Sequence, residues 1–397
     1  MASFLSYDEL KQCLQGRSLP AAFVDLNALD HNIAEVVRRA KGRKIRIATK
    51  SIRCVEVLRR ILGSHPSFIG LMAYSPWEAV ALSRAGFDDI LLGYPVADRD
   101  GLAAIAAEVA QGKRITLMVD HAAHLDLANE AAQLAGAKLP VCIDMDLSSD
   151  FGSLHFGVYR SPLRTPQAVA QLAQLAQRQP NLAWVGLMGY EAQLSGVPDR
   201  SPAGGIKNIL IRQLKRRSRK KVAAQWATLR TLLPEWGQLQ FVNGGGTGSL
   251  EFTTTLPEIT EITAGSAFYA PPLFDHYDTF RQQPAAGFAL AVTRIPAPGI
   301  VTCSGGGYIA SGPASEEKLP KPWLPQGLKL LAHEGAGEVQ TPLRGEAAAQ
   351  LQIGAAVAFR HAKAGEFCER FDSLLLLRNG KIEGDAKTYR GEGWNFG

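Results

Sequence analysis

Cysteine is scarce and unpatterned: five residues (Cys13, Cys54, Cys142, Cys303, Cys368) with no Cys-x-x-Cys pair. An odd, scattered set excludes a disulfide framework and a structural zinc cluster. No apolar run approaches the ~18 residues of a membrane span. The start, MASFLSYDELKQC, carries acids and lacks both the basic opening and the long apolar stretch of a secretory signal. These absences lead to the expectation of a cytoplasmic protein with reduced thiols and no membrane partner. Acidic residues are missing from one segment only. Residues 201–221 hold eight Lys and Arg and no acid, so removing them takes the formal charge from +6 to −2. The basic excess is therefore local, an exposed helical insertion with a solvated face or, alternatively, a contact for a polyanion or acidic substrate. With no interleaved aromatics and no nucleic-acid motif, a nucleic-acid partner is not expected. Solenoid-period repeats and long linkers are absent too.

What is present is a regular alternation. The 397 residues, 46% hydrophobic and 20% charged, are near the globular average and too many for one ordinary core. Short β-branched runs recur at 45–49, 68–74, 89–94, 114–120, 139–146, 182–190, 239–244 and 258–266. Between them lie Ala- and Leu-rich stretches such as 75–86 and 100–112, with apolar residues at helical spacing and a terminal glycine. Continuous apolar strands separated by helices imply a parallel sheet covered on both faces. Eight of them predict an α/β fold of the closed (β/α)₈ barrel type, with an open doubly wound sheet as the alternative. After about residue 275 the pattern changes to short strands punctuated by Gly and Pro. Examples are 288–299, 355–363 and 373–384, the last a hairpin around Asn379-Gly380. The expected division is a barrel over 21–275 and a mostly β second domain from 1–20 plus 276–397. The Pro-rich piece 313–327 is the expected mobile loop.

In parallel barrels reactive groups sit at the C-terminal strand ends. The first run ends in Thr49-Lys50-Ser51, which puts a lysine at the mouth. The seventh runs into Asn243-Gly244-Gly245-Gly246-Thr247-Gly248, and the eighth ends Ala264-Gly265-Ser266. Consecutive glycines let backbone amides approach an anion, and the loops after strands seven and eight are the usual phosphate site of a barrel. A phosphate-bearing cofactor with an aldehyde explains the lysine and both loops together.

In order and context these motifs resemble the fold-type III pyridoxal 5′-phosphate (PLP) enzymes, in which an alanine racemase-like barrel precedes a C-terminal β domain. Within them the likeness is to the D-threonine aldolase and D-serine dehydratase group. It runs from Phe23-Val24-Asp25-Leu26 to Tyr389-Arg390-Gly391-Glu392-Gly393. The resemblance implies that Lys50 is the Schiff-base lysine and that Gly245, Gly246, Thr247, Gly265 and Ser266 hold the phosphate. It places Tyr190 near the pyridine nitrogen. Two departures stand out. Where the group carries Arg near the cofactor hydroxyl, two residues before Gly-Val, this chain has His155. The group also binds a divalent metal through a C-terminal His followed two places later by Asp or Cys. Here His361 matches the first ligand but Lys363 stands at the second position, with Glu366 or Cys368 as replacement candidates. A lysine ammonium only donates hydrogen bonds, so Lys363 is read as supplying the positive charge that the metal otherwise brings. The implied activity is a PLP-dependent lyase acting on a β-hydroxy D-amino acid, as an aldolase or a dehydratase, with a small-molecule substrate and a homodimeric assembly. The alternatives are a PLP racemase, with Tyr308 as its second acid–base group, a non-catalytic PLP-binding protein, and a sugar-phosphate barrel without PLP.

Overall fold

The structure, a computed structural model, describes residues 5–200, 204–313 and 315–396. The first strand, β1 (Ala21–Asp25), leads into a helix over Leu26–Ala40. Then come β2 (Lys44–Ala48), β3 (Phe68–Ala73), β4 (Ile90–Pro95), β5 (Ile115–Val119) and β6 (Leu139–Met145). A hairpin of β7 (Ser149–Phe151) and β8 (Leu154–Phe156) interrupts the series, which resumes with β9 (Leu182–Gly189), β10 (Phe241–Gly244) and β11 (Glu261–Ala264). Strands β2–β6 and β9–β11 form a closed barrel, with β11 paired to β2. These eight match the eight predicted runs, and the barrel reading prevails over the open sheet.

Local chemistry starts each helix where the sequence places it. Ser75, Asp98 and Thr165 accept backbone N–H bonds at the starts of the helices Pro76–Arg84, Arg99–Ala110 and Pro166–Arg178. Proline opens the first and third, where its missing N–H costs nothing. Inside the barrel, Leu91, Met118, Cys142, Val185, Met188 and Phe241 pack as one apolar layer. Beside them is a buried polar network. The Arg46 guanidinium of β2 donates to both carboxylate oxygens of Glu261 on β11, at 3.0 and 3.1 Å, and to Asp89 at 2.8 Å. Asn243 of β10 donates to Glu261 at 2.8 Å and to Thr263 at 2.9 Å.

The second domain is a mostly β unit. It comprises β12 (Ala286–Ala297), β13 (Ile300–Ser304), β14 (Lys321–Leu324), β15 (Lys329–Leu330), β16 (Gln340–Arg344), β17 (Ala356–Arg360), β18 (Ser373–Arg378) and β19 (Lys381–Lys387). The order β15-β16-β13-β12-β1-β18-β19 puts β1 in its middle, antiparallel to β12 and parallel to β18. Residues 21–25, assigned to the barrel from sequence, thus pair in the other sheet. A strand followed at once by a helix reads as a barrel unit, and only pairing reveals otherwise. The predicted hairpin is β18–β19, with Asn379 and Gly380 both at positive φ (49° and 70°), as a type I′ turn requires. The Pro-rich piece, expected to be a loop, contributes β14, which pairs with β17. Of the basic segment, residues 201–203 lie outside the described residues. The rest begins a helix over Gly205–Leu232, in which Lys215 is buried against Asp199 at 2.6 Å. Among the described residues no helix is long and apolar enough to cross a membrane.

Arg46 and Glu261 have side chains only 2% exposed, so removing one partner strands the other in the interior. Replacing Glu261 by Leu is expected to lower stability by roughly 3 kcal/mol. That is the low end for a broken buried pair, because Asp89 remains. A thermal midpoint equal to that of the wild type would contradict this account.

Candidate active site

The mouth of the barrel is assembled by two strand ends that meet where it closes. The β11–β2 ladder pairs Ala264 with Ile47, so Gly265-Ser266 emerges beside Ala48 and the single 3₁₀ turn Thr49–Ser51. There Ser51 Oγ and Ser266 Oγ are 3.2 Å apart. From β10, Gly245, Gly246 and Thr247 reach the same place, and Thr247 Oγ1 accepts the Ala267 amide at 3.0 Å. Arg39, buried in the helix after β1, donates to the Thr247 carbonyl at 2.6 Å and to Glu251, fixing the loop from behind. A cavity of about 380 Å³ opens over these residues, within the range for small cofactors and ligands. Its walls include Lys50, Ser51, Tyr94, Arg160, Tyr190, Gly245, Gly246, Thr247, Gly265 and Ser266.

The second domain closes one side. Lys363, Gly365 and Glu366 line the cavity from the segment after β17. A side chain at Gly365 would put its Cβ 1.9 Å from the Lys50 carbonyl, so only glycine allows this approach. Ser311 ties the neighbours together: Lys363 Nζ donates to its carbonyl (2.9 Å) and hydroxyl (2.8 Å), and its amide donates to Glu366 (2.9 Å). Burial, with Lys318 and Lys50 nearby, holds the Lys363 ammonium below the usual lysine range despite Glu366.

Four sequence-predicted residues are placed elsewhere. His155 does not line the cavity. It sits on β8, 2.7 Å from Asp150 and stacked on Tyr159 with ring centroids 4.0 Å apart. Arg160, four residues beyond the hairpin, takes the wall position instead, its guanidinium 5.8 Å from the Tyr94 ring centre and 5.6 Å from that of Tyr190. His361 is also absent from the wall. It is 2% exposed, stacked on Phe367, with Nδ1 against the Ala286 carbonyl and, among the described residues, no hydrogen-bond partner for Nε2. Burial and Arg360 depress its pKa to about 3 despite the contact with Ala286. Strand β17 ends at Arg360, so the chain turns at His361 and delivers Lys363, not the imidazole, to the mouth. Glu366 reaches the wall without a companion ligand, and Cys368 is buried, with Sγ donating to the Ile52 carbonyl. No group of three or more His, Cys, Asp or Glu able to hold a metal occurs among the described residues. The residues present do not fit the expected divalent metal. Tyr308 packs against Phe288 and Phe371, away from the cavity.

Sequence reasoning missed Tyr94, Arg160, Ser51 and Glu191. Tyr94 closes the third predicted run, so a polar residue at a strand end was a usable signal. Glu191 gave none. It is fully buried beneath the glycine loop and accepts from Gly245 N (3.0 Å) and Thr253 Oγ1 (2.9 Å). Burial pushes its pKa up to about 7 against those hydrogen bonds. The Gly245 amide is thereby committed to protein, as is that of Gly246, which donates to Ser249 Oγ at 3.2 Å. The hydroxyls of Ser51, Thr247 and Ser266 remain as side-chain anion donors at this end.

Fold and cavity together define a two-domain (β/α)₈-barrel protein with a mouth lysine facing a hydroxyl-rich, glycine-lined pocket. Residues 24–271 match the model for the alanine racemase N-terminal domain, and the chain belongs to that family. Over 249 residues it is 26% identical to a 3-hydroxy-D-aspartate aldolase of Paracoccus denitrificans (strain Pd 1222), a match covering 62% of this chain and 59% of that protein. It is also 26% identical over 250 residues to a D-threonine aldolase of Arthrobacter sp, covering 62% and 60%. The matches thus span about three fifths of these curated relatives. The fold is shared with the crystal structure of D-threonine aldolase from Filomicrobium marinum, at TM-score 0.78 and 20% identity over 94% of this chain and 95% of that one. It is likewise shared with D-threo-3-hydroxyaspartate dehydratase from Delftia sp. HT23, at TM-score 0.75 and 18% identity over 95% and 98%.

Glu191 gives a pH prediction. Its folded pKa, about 7, lies above the ordinary 4.5, so the folded state holds its proton more tightly. That stability is complete below pH 4.5 and is lost as pH rises through 7. Glu191→Gln, which mimics the protonated form, is expected to gain about 3 kcal/mol over wild type at pH 8 and nothing at pH 4. Equal gains at both pH values, measured by thermal unfolding, would refute this assignment.

Proposed function

We propose that the chain is a PLP-dependent lyase acting on a β-hydroxy D-amino acid, by aldol cleavage or dehydration. The observation that carries the reading is one cavity whose wall brings together Lys50, the hydroxyl-bearing Ser51, Thr247 and Ser266, and the glycines Gly245, Gly246 and Gly265. Those donors suit a phosphate, and the primary amine suits an aldehyde. The names of the curated relatives, an aldolase of 3-hydroxy-D-aspartate and one of D-threonine, support the reaction class.

PLP bound through Lys50 would supply an electron sink for the bond broken at the substrate α-carbon. Ser51, Thr247 and Ser266 would hold its phosphate, with Gly245, Gly246 and Gly265 leaving room for it. Tyr190 would stand near the pyridine nitrogen, where a phenol in place of a carboxylate would leave the ring less positively charged. Lys363, fixed by Ser311, would place an ammonium beside the substrate's β-oxygen, which both aldol cleavage and dehydration require. Since the ligands His361 and Glu366 do not converge, no step is routed through a metal. The reading extends to a cytoplasmic homodimer. All five thiols are free and buried, as suits a reducing compartment, and the dimer follows the family resemblance.

Borohydride reduction of the yellow protein, followed by peptide mass spectrometry, is expected to find one pyridoxyl group, on Lys50. A colourless protein that PLP does not restore would overturn the reading. With D-threonine, D-serine and 3-hydroxy-D-aspartate as substrates, aldehyde marks cleavage and 2-oxo acid marks dehydration. Formation of the L-enantiomer alone would make the protein a racemase. A chelator is expected to leave turnover intact, while Lys363→Met reduces it at least ~100-fold, the typical contribution of a positioned acid–base group. The reverse pattern would restore the metal.

A further inference from the structure

Tyr94, near the end of β4, has no role in the assignments above, yet it makes the closest polar contact to Lys50. Its phenol oxygen is 2.6 Å from Lys50 Nζ, and among the described residues that amine is its hydrogen-bond partner. A tyrosine serving only to pack would give its hydroxyl to a backbone carbonyl, as Tyr277 does to Ser195 at 2.6 Å. Tyr94 instead faces cations from three elements: Lys50 after β2, Arg160 after the β7–β8 hairpin with its guanidinium 5.8 Å from the ring centre, and Lys363 from the second domain. The carboxyl that acts on it is Asp144 of β6.

We infer that Tyr94 is a catalytic acid–base group that exchanges one proton with Lys50; this rests on reading Lys50 as the cofactor lysine. An amine attacks a carbonyl only as the free base, and an isolated lysine at neutral pH is almost wholly ammonium. A Tyr94 phenolate 2.6 Å away removes that proton in place. One N–H bond of Lys50 breaks, one O–H bond of Tyr94 forms, and the nitrogen keeps its electron pair. No outside reactant is needed. The step reverses when the Lys50 amine is released: the Tyr94 O–H bond breaks, the Lys50 N–H bond re-forms and the phenolate returns, so the pair is restored for the next loading. Electrostatics run the same way: burial pushes the phenol up, but Lys50, its hydrogen bond and Arg160 outweigh burial and Asp144, leaving it below the usual tyrosine range.

The test uses the full-length apoprotein, wild type and Tyr94→Phe, loaded with PLP across a pH series and trapped with borohydride. Both are expected to reach one pyridoxyl group on Lys50 per chain at high pH. At pH 7 the variant should load at least about tenfold more slowly, with its half-maximal rate displaced upward by roughly one pH unit. Superimposable profiles would overturn the proposal. A second measurement requires no cofactor: the ultraviolet phenolate titration of wild type minus Tyr94→Phe isolates this one tyrosine. It should ionise below the ordinary tyrosine range and move upward when Lys50→Met removes its partner. A tyrosine indifferent to Lys50→Met would sink the idea. If neither protein loads PLP on Lys50, the cofactor reading fails separately, and the phenolate titration still decides whether Tyr94 and Lys50 share a proton.

Discussion

Closure of the barrel between β11 and β2 is the constraint on which the site depends. The backbone ladder there is short, spanning Glu261 to Ala264, and it is reinforced from inside by the Arg46–Glu261 ion pair, one partner on each strand. A pair so deeply buried contributes little net stability over an apolar substitute, but it penalises any arrangement that separates its members. A slip of β11 by one residue would pull Glu261 from Arg46 and turn every side chain of the strand to the other face. With the register held, Gly265 lies against Ala48, Ser266 meets Ser51, and Lys50 projects beside the glycine loop. A lysine and a glycine loop some 200 residues apart in sequence become one pocket.

The second domain acts on the same turn from the other side. Besides the contact of Gly365 with Lys50, Arg53 forms a salt bridge with Glu369, and the Tyr389 hydroxyl donates to buried Glu78 at 2.9 Å. Glu78 also accepts the Tyr74 amide at 2.7 Å. The turn carrying Lys50 is thus clamped between barrel and β domain, which restricts where its amine can point.

Charge is distributed unevenly around the pocket. Beneath the two loops lie Glu78 and Glu191, both fully buried, and burial pushes each up to about 7 against its hydrogen bonds. Neither contributes a full negative charge at neutral pH. At the mouth stand Lys50, Arg160 and Lys363, and Glu366 on the same wall accepts from the Ser311 amide. Such a field favours an anionic guest.

The sequence by itself determined the elements and their order. Eight buried strands, helices capped by Ser75, Asp98 and Thr165, and the Asn379-Gly380 hairpin are each dictated by local patterns of apolar side chains and turn residues. It also marked Lys50 and the glycine loops, because strand ends are legible wherever strands are. Tertiary structure decided which side chains face the pocket. His155 and His361 carry suitable chemistry, but the pairing with Asp150 and the turn after Arg360 take them off the wall, while Arg160 and Lys363 are brought in. It also decided that β1 belongs to the second sheet, that the Gly245 amide serves Glu191, and that Tyr94 meets Lys50. Periodicity reports whether a residue is inside or outside its own element. Which neighbour it meets is set by register and domain docking, which are properties of distant segments taken together.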